Sequence, residues 1–115
     1  MTFEELKSCI PCDICVRGEN YESARIKTLL TSDLMSDVLT TTEENFVMIT
    51  SLNSKQVVHT ADIVGALGIL LVNGKSLPGD MKNLAEEKRL TLLSSPWNSF
   101  QVSMAIGSVL EKEKV

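Results

Sequence analysis

Residues 68–96, GILLVNGKSLPGDMKNLAEEKRLTLLSSP, contain two short apolar runs separated by a polar segment of helical character. The runs 68–72 and 90–94 show no alternation of polar and apolar residues, which is typical of parallel strands buried on both faces. Between them, Pro78 favours the start of a helix, and apolar residues recur at a helical spacing over 79–89. The stretch therefore predicts a β-α-β unit.

The same pattern extends in both directions along the chain. Residues 46–50, FVMIT, form a third apolar run, and residues 54–66 have the helical period. A last helix is predicted from about 99 to 112. The C-terminal two-thirds therefore reads βαβαβα, which predicts a mainly parallel sheet with helices packed on its faces.

The first third adds a short helix, two extended segments and a second helix. The expected ranges are 3–8 for the first helix, 12–16 and 24–31 for the extended segments, and 33–41 for the second helix, with Ser32 as its cap. The sequence thus predicts one α/β domain over residues 1–115. It has a three-layer-like arrangement, in which an N-terminal α-β-β-α portion adds an edge to a mainly parallel sheet flanked by helices.

Composition argues against several functional classes. The 115 residues carry a net charge of −4, and Lys and Arg form no cluster, so no nucleic-acid partner is predicted. No apolar run approaches the roughly 18 residues that span a bilayer, so no membrane association is predicted. The acidic N-terminus lacks an apolar signal core, and three cysteines suggest reduced thiols. These features predict a cytoplasmic protein.

Three loops that follow the predicted strands are candidates for a binding site. Ligands of open parallel sheets bind outside the carboxyl ends of the strands. The candidate residues are Thr50, Ser51 and Asn53 in the first loop, Asn73, Gly74 and Lys75 in the second, and Ser94, Ser95, Trp97, Asn98 and Ser99 in the third. We expect one shallow polar pocket in which Lys75 and a helix N-terminus suit a small anionic or nucleotide-like ligand. The alternative is that these are ordinary loop and capping residues.

Catalytic machinery is not evident in the sequence. His59 is the single histidine, and it is predicted to lie at the surface or half-buried on a helix. The acidic pairs 43–44 and 86–87 fall in a loop and on a polar helix face, where they indicate solvated charge. With no plausible base and nucleophile pair, neither an enzyme nor a cofactor is predicted.

The three cysteines lie in CIPCDIC, residues 9–15. Pro11 prevents them from sharing one helix. In a strand, alternation places Cys12, Ile14 and Val16 on one face and Asp13, Cys15 and Arg17 on the other. Cys12 is then a core residue, Cys15 faces solvent, and the two do not reach one metal ion. The alternative function is a redox-linked accessory protein in which Cys9, Cys12 and Cys15 bind a metal or cluster or react as thiols.

Two of the predicted helices carry more apolar residues than a single stripe facing the core requires. The additional residues are Leu34, Met35, Phe100 and Met104. An unexplained apolar patch often marks an interface, so a homodimer through the second or the last helix is predicted. The alternative is a wide helix face packed within one subunit.

Three segments resemble the DRTGG domain: SDLMSDVL (32–39), FVMIT (46–50) and residues 62–100. The likeness runs from about residue 6 to 109, and SPWNSF resembles the start of the family's last helix, TPYDTF. The Asp-Arg-Thr-Gly-Gly signature itself is absent. The expected glycine pair falls on Thr28 and Leu29, and the aspartate of the last helix cap falls on Asn98.

The resemblance implies a fold similar to the N-terminal domain of HPr kinase. It also implies a non-catalytic regulatory or interaction module. Such domains occur in phosphate acetyltransferases, between CBS domains of some family II pyrophosphatases, and alone in anaerobic prokaryotes, sometimes beside iron-only hydrogenase components. They often form dimers. The partners expected from the resemblance are a small ligand, a second copy of the chain, or another protein.

Overall fold

Five strands and five helices form the described chain, residues 1–114 of the computed structural model. Their bounds are α1 Phe3–Cys9, β1 Asp13–Val16, β2 Thr28–Thr31, α2 Met35–Val38, β3 Phe46–Thr50, α3 Lys55–Val64, β4 Gly68–Leu71, α4 Gly79–Glu87, β5 Thr91–Ser94 and α5 Ser99–Glu113. Within these residues, no helix has the length and apolar character needed to cross a bilayer.

The strands form one sheet in the order β1-β5-β4-β3-β2. Strands β2 to β5 pair in parallel with their sequence neighbours, and β1 pairs antiparallel with β5 at the edge. Helices α1 and α5 pack on one face, and α2, α3 and α4 pack on the other. The predicted α/β fold, with a mainly parallel sheet between helices and an N-terminal portion at its edge, is confirmed.

Apolar side chains of the central strands point alternately into two cores. Val47 and Ile49 of β3 pack under α1 and α5, in what we call the first core. Phe46 and Met48 of the same strand pack under α2, α3 and α4, in the second core. All four side chains are fully buried. The absence of alternation in FVMIT therefore reflects burial on both faces.

Helix α2 is shorter than predicted. The sequence favoured a helix over 33–41 capped by Ser32, whereas the structure has one turn, Met35–Val38, preceded by Leu34. The Ser32 hydroxyl accepts a hydrogen bond from the Leu34 amide at 3.0 Å, which forms a local turn in place of a cap. The Asp33 carboxylate accepts hydrogen bonds from Thr50 and Ser51 at the end of β3, so Asp33 lies outside the helix.

The second strand begins later than predicted, at Thr28 instead of residue 24. The Ile26 amide donates to Met1 O at 2.7 Å, and the Lys27 amide donates to Asn45 O at 2.7 Å. These bonds lead to the residues before α1 and before β3, so ladder pairing with β3 starts only at Thr28.

A bulge in β1 overturns the predicted alternation of its side chains. Ile14 pairs with Leu93, but Val16 pairs with Leu92, so the extra residue Cys15 has no partner of its own. The bulge reverses the side of Val16, which is buried in the second core although Ile14 packs against the first. Cys15 also packs against the second core and is half-buried, so the prediction that it faces solvent is wrong.

Gly18 allows the chain after β1 to approach the start of β5. Its amide donates to Thr91 Oγ1 at 3.1 Å. A Cβ at this position would lie 2.5 Å from the Thr91 amide nitrogen and 2.6 Å from Arg89 O. Both atoms belong to the backbone, so a side chain here would push the edge strand away from β5.

We expect Gly18→Ala to lower the free energy of unfolding by about 1–3 kcal/mol, the usual cost of overpacking. Gly79→Ala is the matched control, because a Cβ there meets nothing within 4 Å, and its effect should stay within about 0.5 kcal/mol. Urea unfolding measures both. Equal stabilities for the two variants would contradict the close approach of Gly18.

Candidate functional site

The topology brings polar groups together at one edge of the sheet. The carboxyl ends of β2 to β5 lie at this edge because these strands are parallel. Strand β1 runs the opposite way, so its first residue, Asp13, reaches the same edge and pairs with Ser94 at the end of β5. We call this the carboxyl edge. It is the position at which parallel α/β sheets bind ligands.

A cavity of about 270 Å³ opens at the carboxyl edge around Lys75. It is lined by Asp13, Gly74, Lys75, Ser94, Ser95 and Pro96. Four of the predicted site residues line it, namely Gly74 and Lys75 of the second loop and Ser94 and Ser95 of the third. Sequence reasoning missed Asp13, because its place depends on the antiparallel direction of β1.

Backbone hydrogen bonds join the two loops that line this cavity. The Asn73 amide donates to Trp97 O at 2.8 Å, and the Gly74 amide donates to Ser95 O at 3.0 Å. Asn73 and Gly74 both have left-handed φ values, 65° and 60°, which these residue types tolerate best. The buried Ser95 hydroxyl donates to Pro11 O at 2.7 Å. The loops are therefore held to each other and to the segment before β1.

The first predicted loop lies beside the cavity and is bound to Asp33. Thr50 Oγ1 donates to Asp33 Oδ1 at 2.9 Å, and the Ser51 amide donates to the same oxygen at 2.7 Å. Ser51 Oγ donates to Asp33 Oδ2 at 2.7 Å. Asn53 Nδ2 donates to Ser76 O at 3.0 Å, which ties this loop to the one that carries Lys75.

These contacts keep Asp33 ionised. Hydrogen bonds from the Ser51 amide and hydroxyl lower the pKa of Asp33 below its ordinary value of 3.8, and the Thr50 hydroxyl and the charge of Lys75 act in the same direction. Partial burial opposes them. Sequence reasoning placed Asp33 in a helix and missed it. The available signal was its position two residues after a strand, in a loop comparable to the other three.

The remaining residues of the third loop have structural roles. Trp97 is half-buried against the first core. Asn98 caps α5, since its Oδ1 accepts from the Gln101 amide at 2.8 Å and the Gln101 side chain accepts from the Asn98 amide at 3.0 Å. Ser99 is the first residue of α5. For Trp97, Asn98 and Ser99 these contacts favour the packing and capping alternative.

Three helices, the single turn of α2 and the longer α3 and α4, begin at the carboxyl edge without a side-chain cap. Ser54 precedes α3 and Pro78 precedes α4, and neither side chain accepts a hydrogen bond from its helix. Helices α1 and α5 have complete capping boxes. The first amides of α3 and α4 thus add positive electrostatic potential to the edge that carries Lys75.

The cysteines do not form a common ligand set. Cys12 packs against the first core and Cys15 against the second, on opposite faces of the sheet. Cys15 Sγ donates to Ser94 Oγ at 3.4 Å. Burial raises the pKa of the Cys9 and Cys12 thiols, which disfavours the reactive thiolate. Within residues 1–114, no three His, Cys, Asp or Glu side chains converge as a metal site.

A larger cavity, of about 380 Å³, lies at the opposite edge, lined by Thr2, Glu4, Arg17, Tyr21 and Glu22. Three of its polar groups, those of Glu4, Arg17 and Tyr21, are already paired with one another. The Tyr21 hydroxyl donates to Glu4, and the Arg17 guanidinium stacks 4.1 Å above the Tyr21 ring. Burial and the bond to Glu4 raise the pKa of Tyr21 to about 12. We therefore take the carboxyl edge as the candidate site.

Comparison with known families agrees with this architecture. The family model of the DRTGG domain matches residues 5–109. The chain belongs to the DRTGG domain family. The resemblance seen in the sequence is thus confirmed, although the signature residues are absent. No relative was found among curated protein sequences.

A solved structure shares the fold of this DRTGG domain. It contains the CBS and DRTGG domains of the regulatory region of a Clostridium perfringens pyrophosphatase, complexed with its activator, diadenosine tetraphosphate. The TM-score is 0.72 at 11% sequence identity, over 91% of this chain. Only 45% of the pyrophosphatase chain is covered, so this chain spans less than half of that regulatory region.

We expect the carboxyl group of Asp33 to titrate below 3.8, as measured by its carbon chemical shift in NMR. Ser51→Ala should raise the midpoint towards 3.8, because it removes the hydroxyl bond and leaves the backbone bond. Ser36→Ala, an exposed position on α2, should leave it unchanged. The ionised form stabilises the fold above the unfolded-state pKa, and this contribution is lost as pH falls through the lowered value. An Asp33 midpoint unmoved by Ser51→Ala would contradict the hydrogen bonding described.

Proposed function

We propose that this DRTGG domain is a non-catalytic regulatory module that binds a small anionic or nucleotide-like ligand at its carboxyl edge. The observation that carries the proposal is the cavity around Lys75, placed where parallel sheets bind ligands. The pyrophosphatase region that shares this fold is complexed with a nucleotide activator, which supports the same chemical class of ligand.

The chemistry of the edge favours binding over catalysis. Lys75 is the one cation among the residues that line the cavity, and the other lining groups are hydroxyls, backbone and Asp13. His59 is exposed on α3, away from the strand ends. A general acid or base must lie within hydrogen-bonding reach of the reacting group, and the cavity offers no histidine for this role.

The size and charge of the cavity restrict the ligand. Its 270 Å³ is just below the usual range of about 300–1,000 Å³ for small-molecule pockets. It suits a phosphate group, with the rest of a nucleotide lying outside it. The carboxylates of Asp13 and Asp33 offset the charge of Lys75, so the uncapped amides of α3 and α4 are needed to favour an anion.

We expect Lys75→Ala to weaken ligand binding about tenfold, because a charge-assisted hydrogen bond contributes about 1.5–3 kcal/mol and each 1.4 kcal/mol is tenfold. A thermal-shift screen of inorganic phosphate, ATP and diadenosine tetraphosphate would first identify a ligand, and calorimetry would then measure its affinity. Lys27→Ala is the control, because Lys27 lies just before β2, at the opposite edge.

Two results would count against the proposed site. One is the absence of stabilisation by any member of the screen. The other is a Lys75→Ala variant that binds as tightly as the wild type. A loss of affinity in Lys27→Ala alone would move the site to the other edge.

We further propose that the module forms a homodimer through the outer face of α5. Phe100 and Met104 are 71% and 60% exposed and lie one helical turn apart. A groove of about 540 Å³ beside Met104 includes the small residues Ser103 and Gly107, which let a second helix approach closely. Leu34, on the loop after β2, is also exposed, whereas Met35 is half-buried against the second core.

We expect the wild type to be dimeric in light scattering at micromolar concentration, and Met104→Lys to be monomeric because a charge is then buried in the interface. Ile63→Lys is the matched control. Ile63 is 73% exposed on α3, on the opposite face of the sheet, and its substitution should leave the dimer intact. A monomeric wild type, or dissociation by Ile63→Lys alone, would contradict this interface.

Two other expectations remain predictions. A cytoplasmic location rests on the composition of the sequence, and fractionation of expressing cells would check it. A protein partner is implied by the regulatory role of the family. The separation of Cys12 and Cys15 gives the redox-linked alternative no supporting observation.

A further inference from the structure

The chain itself supplies a carboxylate to the donors at the end of β3. Thr50 is 1% exposed, and its hydroxyl, together with the Ser51 amide and hydroxyl, donates to both oxygens of Asp33 at 2.7–2.9 Å. An amide and hydroxyls at the carboxyl end of a parallel strand are suitable donors for an oxyanion. In this structure they are occupied by an internal anion.

The segment that carries Asp33 has few other polar attachments. Residues 32–44 connect β2 to β3, and we call them the β2–β3 connection. Among the described residues, its hydrogen bonds to the rest of the chain are those of the Asp33 carboxylate and one from the Ser32 amide to Ile49 O at 3.0 Å. Beyond Asp33, buried Val38 and half-buried Met35 pack against the second core.

We propose that Asp33 is a built-in competitor for the anion site: an external phosphate or polyphosphate group replaces its carboxylate at Thr50 and Ser51, and the β2–β3 connection is then released from the sheet. This inference rests on the proposed anion site at the carboxyl edge and extends it from the cavity around Lys75 to the donors of Thr50 and Ser51 in the neighbouring loop. The positive charge of Lys75 favours the ionised form of Asp33, and it would attract an external anion to the same place.

The exchange costs no hydrogen bond at these donors, because one anion replaces another. The donors of Thr50 and Ser51 are satisfied in both states, so no buried polar group is left without a partner. The internal carboxylate lowers the apparent affinity for an external ligand by occupying its place.

Release of the connection would change the apolar surface next to the ligand. Leu34 and Leu39 are 56% and 48% exposed on the connection, and both follow Asp33 closely in sequence. A ligand that displaces Asp33 would therefore alter the position of two apolar side chains that a protein partner or a second copy of the chain could contact. The carboxyl edge would in this way be coupled to an interaction surface.

Binding of tripolyphosphate to the full chain tests the competition. Asp33→Ala should bind it about tenfold more tightly than the wild type, as expected for removal of a competing interaction of about 1.4 kcal/mol. Asp37→Ala is the matched control, because it removes an exposed carboxylate from α2 that lies outside the Thr50–Ser51 donors. Asp33→Asn keeps the shape of the side chain and serves if Asp33→Ala does not fold.

Amide hydrogen exchange tests the release separately. Amides of residues 34–41 should exchange faster in Asp33→Ala without tripolyphosphate, and in the wild type with saturating tripolyphosphate. If neither the wild type nor Asp33→Ala binds tripolyphosphate, the anion site and the proposed function fail together. If both bind equally well, or if exchange of 34–41 stays unchanged in both tests, the role of Asp33 alone is overturned.

Discussion

Burial of β3, β4 and β5 on both faces is the constraint on which the rest of the structure depends. Their side chains are almost entirely apolar and buried, so each face of the sheet must be covered by helices. The crossover segments provide α2, α3 and α4 for one face. The other face is covered from the two ends of the described chain, by α1 and α5. The N-terminal helix is therefore part of the core, with Phe3 and Leu6 fully buried.

The same constraint determines where polar chemistry can occur. Central strands with apolar side chains on both faces leave their ends and loops as the place for charged and hydroxyl groups. At the carboxyl edge, the loops are bound to each other through Asn73 and Gly74 and to β3 through Asp33. These bonds keep the loops in place without filling the cavity around Lys75. A shallow site on a rigid scaffold suits recognition of a small anion.

The central βαβαβ part of the fold could be predicted from the sequence because each element has its own periodicity. FVMIT, GILLV and LTLLS became strands within a residue or two of the expected ends. The prediction was wrong where tertiary contacts of a residue override its local preference for helix or regular strand. Ser32 and Asp33 bind backbone and side-chain groups that a helix from residue 33 would exclude. Cys15 forms a bulge that depends on pairing with β5. Sequence alone carries no information about either tertiary partner. Asp13 was missed for the same reason, because its place depends on the antiparallel pairing of β1, whereas Asp33 was missed because it was assigned to the helix.

The residues that replace the family signature lie away from the cavity around Lys75. The expected glycine pair falls on Thr28 and Leu29, the first residues of β2, at the edge opposite to Lys75. Here Thr28 is paired with Phe46, and Leu29 packs against the first core, so both positions contribute ordinary strand contacts. The aspartate expected at the cap of the last helix is Asn98, which preserves the capping function. The substitutions therefore leave the carboxyl edge intact. A ligand bound at that edge would be recognised by Lys75, Ser51 and the uncapped helices, independently of the residues that name the family.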